Sequence, residues 1–153
     1  MNIENKLKEL GIDLPEPPSP IASYTPCKQA GNLVFVSGQG PIINGKQIYR
    51  GKVGAEISLE DAYQAARYCG LNLVAQLKRF LGDLNRVKSI VQVKGYVACG
   101  ITFENQPQVI NGVSDLMVEI FGDAGRHTRC ALGTNTLPAN IPVEAELIAE
   151  VSP

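Results

Sequence analysis

Residues 126–151 read RHTRCALGTNTLPANIPVEAELIAEV, two strand-like stretches separated by Leu137-Pro138-Ala139-Asn140-Ile141-Pro142. In the later stretch Val143, Ala145, Leu147, Ala149 and Val151 alternate with Glu144, Glu146, Ile148 and Glu150. A period of two sends one set into a core and the other to the opposite face of a sheet. In the earlier stretch Arg129 has the parity of His127, Ala131, Gly133 and Asn135. If the two strands pair around the connection, a guanidinium and a carboxylate share one non-core face.

Working outward, Val87–Cys99 is rich in β-formers, with Val91, Val93 and Val97 expected on one face. A helix precedes it. Ser58-Leu-Glu-Asp61 has capping-box form, and Ala62, Ala66, Cys69, Leu73, Leu77 and Phe80 recur at helical spacing. Gly70 interrupts that stripe, which suggests a close approach to the sheet. A second helix carries Val109, Val113, Leu116 and Ile120 on one side, leaves Asn111 off that stripe, and stops at Gly122. Nearer the start, Leu33-Val-Phe-Val-Ser37 is a strand, and Asn44-Gly45 signals a hairpin returning along Lys46–Arg50. Residues 1–19 read as a helical arm (Asn2–Leu10) and a proline-rich connector, ahead of a domain over residues 20–153.

The order β-β-α-β-α-β-β specifies a two-layer α+β domain, a mixed sheet with two helices on one face. The other face, bearing Glu144, Glu146, Arg129 and Asn135, is too polar for a dry core. With Ile148 and Ala131 it suits a partly buried contact between subunits.

The chain of 153 residues suffices for one core, with 44% hydrophobic and 19% charged residues. A net charge of −1 argues against general affinity for nucleic acid. No leader-like or membrane-spanning run is present, so the cytoplasm is the expected location. Cys27, Cys69, Cys99 and Cys130 are far apart and there is one histidine, so no metal-ligand spacing exists.

His127 and Cys130 have opposite parity, which works against a nucleophile–base pair, and no nucleophile elbow supports a serine triad. Gly38-Gln-Gly40 lacks the lysine and following helix of a phosphate loop. Arg129 offers a planar fork for a carboxylate, and Glu144 can handle a water. An ordinary cross-strand ion pair accounts for the same two residues, and Glu146 and Glu150 share the parity of Glu144.

Val-Ser-Gly-Gln within Leu33–Gln39, preceded by Tyr24 and Gly31-Asn32, resembles the opening of the Rid (YjgF) proteins. Arg129 eight residues before Leu137-Pro138, then Val143-Glu144-Ala145-Glu146, resembles their closing signature. The likeness spans roughly residues 20 to 151 and gains specificity from the order of its parts. It implies a chorismate-mutase-like fold and a homotrimer with pockets between subunits. It also implies cofactor-independent hydrolysis of 2-aminoacrylate-type enamines and imines to 2-oxo acids and ammonia. By the same resemblance Arg129 grips the carboxylate of the substrate and Glu144 handles the attacking water. Tyr24, Ser37, Asn111 and the backbone donor Gly38 line the pocket and bind the substrate, and Ala131 lines it at the place of a pocket cysteine. The family's Arg-x-Cys-Val-Glu reads Arg129-Cys130-Ala131-Leu132-Gly133 here. A non-catalytic, regulatory trimer that binds a small carboxylate or a partner protein is the alternative. RNA cleavage, also attached to the family, finds little support in an acidic chain with one histidine.

Overall fold

A computed structural model describes all residues, Met1–Pro153. Five strands form one twisted mixed sheet in the order β1 (Cys27–Ala30), β2 (Leu33–Gln39), β7 (Val143–Val151), β5 (Val87–Ala98), β6 (Thr128–Thr134). Every pairing is antiparallel except β5 with β6, which is parallel. A separate hairpin, β3 (Ile42–Ile43) and β4 (Lys46–Gln47), turns at Asn44 and Gly45, both at positive φ. The return strand is therefore shorter than Lys46–Arg50. Helices α2 (Leu59–Leu81) and α3 (Gln106–Phe121) cover one face, so the α+β expectation is met.

The alternation in β7 is realised without exception: Val143, Ala145, Leu147, Ala149 and Val151 are buried against the helices. Leu73 and Leu77 of α2 are fully buried opposite them. Burying such a side chain contributes about 1.5–3 kcal/mol. Ser58 caps α2 by accepting from the Asp61 amide at 3.1 Å. Phe80 departs from the expected stripe and is exposed, while Leu81 is buried in its stead.

Gly70 is small for a different reason from the one expected. A Cβ there would lie 2.8 Å from Leu116 Cδ2, and one at Gly112 would lie 2.1 Å from the Tyr63 carbonyl oxygen. The close approach is between α2 and α3, not between helix and sheet. In β5 the ladder slips between Ile90 and Gln92. The bulge buries Ile90 and turns Val91 outward, so Val91 does not share the face of Val93 and Val97.

The arm is docked. Helix α1 (Ile3–Glu9) buries Ile3 and Leu7 in the same 33-residue core as the sheet and the other helices. The Ile3 amide donates to Asn85 Oδ1, and Lys78 on α2 pairs with Glu4. No helix is long and apolar enough to cross a membrane.

One consequence of strand order governs the site. Strands β6 and β7, which flank the Leu137–Pro142 connection, do not pair; β5 lies between them. Arg129 is level with Val93, which is level with Leu147, and both of those are core residues. Cross-strand partners point to the same side of a sheet. Arg129 and Ala131 therefore face α3, and the expectation that Arg129 and Glu144 share the uncovered face is corrected.

Candidate functional site

Glu144 lies on the face without helices, level with Tyr96. Strand β2 is irregular beside it: Val36 is level with Leu147, whereas Gln39 is level with Ala145. Ser37 and Gly38 thus oppose the single residue Glu146 in a bulge. At Gly38 a Cβ would stand 3.0 Å from Glu144 Cδ and 3.3 Å from its Oε1. The absence of a side chain there is what lets the carboxyl lie against the β2 backbone. Behind the bulge, Gln76 Nε2 of α2 donates to Gln39 Oε1 (3.3 Å) and to the Pro18 carbonyl (2.8 Å). Asn72 Nδ2 donates to the carbonyls of Gly40 and Ile42. Buried amides of α2 therefore hold the loop that shapes the Glu144 environment, and they tie the proline-rich connector to it.

The Glu144 carboxylate makes no hydrogen bond within the chain, and its pKa is raised, first by burial and then by the charge of Glu146. A cavity of about 100 Å³ opens here, lined among others by Tyr24, Gly38, Gly40, Ile141 and Glu144. Ser37 belongs elsewhere. Its hydroxyl donates to the Thr25 carbonyl at 2.8 Å, and it lines an adjacent hollow with Lys94 and Glu146.

The second cluster gathers around Arg129. Its Nη1 donates to Asn111 Oδ1 (2.8 Å) and to Ser114 Oγ (3.1 Å), and Nη2 reaches the Pro107 carbonyl at 3.4 Å. A guanidinium has five N–H donors, so Nε–H and one Nη2–H have no partner in the chain. Asn111 and Ser114 are one helical turn apart on α3, which is why they converge on one cation.

Ser114 Oγ also meets His127 Nε2 at 2.9 Å, and His127 Nδ1 lies 2.6 Å from the Gly125 carbonyl. A carbonyl can only accept, so Nδ1 carries the proton, and in the neutral ring Nε2 accepts from Ser114. The His127 pKa is lowered by burial and, more weakly, by Arg129, against an opposing effect of the Gly125 bond. Asn111, Ser114, Val118, Arg126, His127 and Arg129 line a cavity of about 290 Å³.

Ala131 packs against the core beside this cluster and lines neither cavity. Gly133 leaves room for Gln106: a Cβ at residue 133 would be 2.9 Å from Gln106 Nε2 and 3.1 Å from Cys99 Sγ. No three His, Cys, Asp or Glu side chains converge where a metal could bind.

The sequence-predicted residues thus divide into two half-sites. Tyr24, Gly38 and Glu144 form one; Arg129 and Asn111 form the other. Their backbones are separated by two strand spacings, roughly 10 Å, and by three residues along the strands, roughly another 10 Å. They also lie on opposite faces, so one chain cannot apply both to one small molecule. Ser114, His127 and the Pro107 carbonyl are additions from the tertiary structure. The parity that His127 shares with Arg129 is a sequence signal for the histidine, and the three-residue spacing of Ser114 from Asn111 is one for the serine.

The model of the family "YjgF/chorismate mutase-like, putative endoribonuclease" matches residues 4–151. The chain belongs to this family. The match takes in α1 from its second residue on, extending further toward the N-terminus than the likeness visible from motifs alone. Protein TCP17 of Trypanosoma cruzi is 37% identical over 147 residues, covering 95% of this chain and 92% of the relative. The protein Atu1372 of Agrobacterium tumefaciens, of unknown function, superposes with TM-score 0.91 at 41% identity, covering 98% of this chain and 92% of that one. A "putative endoribonuclease" from Shewanella oneidensis gives TM-score 0.95 at 35% identity, covering 99% and 100%.

Proposed function

We propose that this protein hydrolyses reactive enamines and imines of short amino acids to 2-oxo acids and ammonia. On this reading the Arg129 half-site of one subunit faces the Glu144 half-site of a second copy in a homotrimer. The observation that carries the reading is Glu144 itself: a half-buried carboxylate with no partner and a raised pKa, in a cavity with Tyr24 and Gly38. A structural carboxylate in that setting would be paired, whereas one that must take up and return a proton benefits from a raised pKa. The uncommitted Nε–H and Nη2–H of Arg129 complement it as a fork for a substrate carboxylate. A head-to-tail ring of three gives every subunit one complete pocket, because each supplies the half its neighbour lacks. Phe35 and Leu132, apolar and exposed on the uncovered face, suit that contact.

In the proposed reaction Arg129 holds the carboxylate and so places the C=N carbon beside a water near Glu144. The imine enters as its iminium ion, protonated by solvent, and Glu144 accepts a proton as the water oxygen bonds to that carbon. The resulting carbinolamine collapses when Glu144 returns its proton to the amine. As the C–N bond breaks the carbinolamine hydroxyl releases its proton to solvent, ammonia leaves and the 2-oxo acid remains. An enamine joins this path after protonation at C3. Positioning supplies most of the acceleration, and acid–base help adds about 10²–10⁴-fold. The test generates an imino acid in situ and follows its disappearance with and without protein. Equal rates for wild type and Arg129→Ala would reject the assignment.

Ala131 and Gly133, at the family's cysteine and glutamate positions, favour a second reading: a non-catalytic trimer that binds small carboxylates. Carboxylate-dependent melting shifts without any acceleration of imine loss would select it.

A further inference from the structure

Ser114 and His127 have no part in the deamination scheme above, yet Ser114 accepts from Arg129, the residue on which it depends, and His127 is hydrogen-bonded to Ser114. The chain runs Gly125 C=O, His127, Ser114, Arg129, Asn111, with contacts of 2.6, 2.9, 3.1 and 2.8 Å. Its direction follows from chemistry. Gly125 fixes the proton on Nδ1, so Nε2 is the only nitrogen of His127 that can titrate. While Nε2 is bare it draws the Ser114 O–H toward itself, and the lone pairs of Oγ face Arg129 Nη1. Both hydrogens of Nη1 are then committed to Ser114 and Asn111, which holds the guanidinium in one orientation.

Protonation of Nε2 reverses one link. The new Nε2–H must donate to Ser114 Oγ, which still accepts from Arg129, so the serine proton has to turn elsewhere. All three side chains line the same cavity, and that proton can turn to an anion seated there. We propose that His127, acting through Ser114, is the positioning residue for Arg129, and that the cavity captures a carboxylate together with a proton. The inference rests on the reading of Arg129 as the carboxylate fork and adds to it a proton-linked specificity for anions.

The surroundings permit such coupling. From β6 the charge facing His127 is Arg129; from the adjoining turn it is Arg126, whose Nε lies 3.3 Å from the exposed Asp123. Helix α3 presents Asn111, Ser114 and Val118 to the cavity and no acid. Its carboxylates are engaged on the side toward α2, Asp115 with Tyr63 and Glu119 with Arg67. Apart from Glu144 of the second copy, which the Glu144→Gln variant below removes as a charge, an arriving anion is therefore the main negative charge that His127 can sense. Because linkage is reciprocal, bound anion must raise the His127 pKa by as much as bound proton tightens the anion.

The chain has one histidine, so its ring resonances in a proton–carbon NMR spectrum are unambiguous. The experiment titrates His127 with and without a saturating 2-oxo acid, and measures the affinity of that acid from about pH 8 to about pH 5, the range of a histidine. The expected result is a raised His127 pKa in the complex and about fivefold or greater tightening on acidification. His127→Gln should bind as wild type does at the alkaline end and lose the pH dependence. Ser114→Ala should weaken the shift of the histidine. Glu144→Gln should keep both effects, which separates His127 from the other group that titrates here.

A wild-type affinity independent of pH, or a dependence that survives His127→Gln, overturns the proposal. If Arg129→Ala still abolishes binding in that case, the carboxylate fork stands without the relay. If neither wild type nor variant binds the acid, both readings fall.

Discussion

Gly38 and Glu144 occupy each other's space: a methyl group on Gly38 would stand 3.0 Å from Glu144 Cδ, tighter than ordinary van der Waals contact. The carboxyl lies over the β2 bulge because residue 38 has no side chain. Gly38→Ala should displace Glu144 and leave the Arg129 cluster intact. The expected signature is a fall in kcat of about tenfold to a hundredfold, as for a displaced acid–base group, with KM little changed. Steady-state kinetics on an in situ imine, with a circular dichroism check of folding, decides it.

Glu144 also gives a stability prediction with a defined sign. Its pKa is raised above the ordinary carboxylate value of 4.5. The native state thus binds its proton more tightly than the unfolded chain does. The stabilisation is present below that ordinary value and is lost as pH rises through the native pKa. Glu144→Gln should accordingly raise Tm relative to wild type at neutral pH, with the difference shrinking toward about pH 4. The same variant should lose turnover. Thermal melts across pH provide the check.

The division into half-sites predicts complementation. Arg129→Ala and Glu144→Gln subunits should each be inactive alone. Mixed by unfolding and refolding together, they should regain a fraction of wild-type activity, because some contacts then pair an intact arginine with an intact glutamate. Persistent inactivity of the refolded mixture would place the two residues outside a shared pocket.

Arg129 should not tolerate lysine. An ammonium cannot satisfy Asn111 Oδ1 and Ser114 Oγ while also presenting two parallel N–H groups. Arg129→Lys should raise KM for carboxylate substrates by about 10- to 100-fold, in line with the loss of charge-assisted hydrogen bonds. Asn111→Ala should act in the same direction more weakly.

The contact between Gly112 and the Tyr63 carbonyl is of another kind. A Cβ would fall 2.1 Å from a backbone atom, which cannot swing aside. Gly112→Ala should force α2 and α3 apart at a cost of about 3 kcal/mol. Gly70→Ala meets the end of the Leu116 side chain instead and should cost less. Denaturant melts of the two variants compare them directly.

Local pattern was enough to specify much of this protein. The alternation in Val143–Val151, the stripe from Ala62 to Leu77 and the Ser58 cap gave elements and faces correctly, since each depends on neighbours within one turn or one strand. Of the residues that the Rid-like motifs single out, Tyr24, Gly38 and Glu144 lie together around one cavity, and Arg129 and Asn111 meet at 2.8 Å. What the sequence left open was which strands pair. Residues 126–135 and 143–151 look like partners because they are adjacent in the chain, yet β5 lies between them. That insertion, a choice made by long-range packing, turned Arg129 toward α3 and away from Glu144. Parity within a strand says which residues share a face; only the hydrogen-bonded register to the neighbouring strand says which face it is. The two bulges, which shift that parity at Val91 and Gly38, and the meeting of Ser114 with His127 across thirteen residues were settled at the same level.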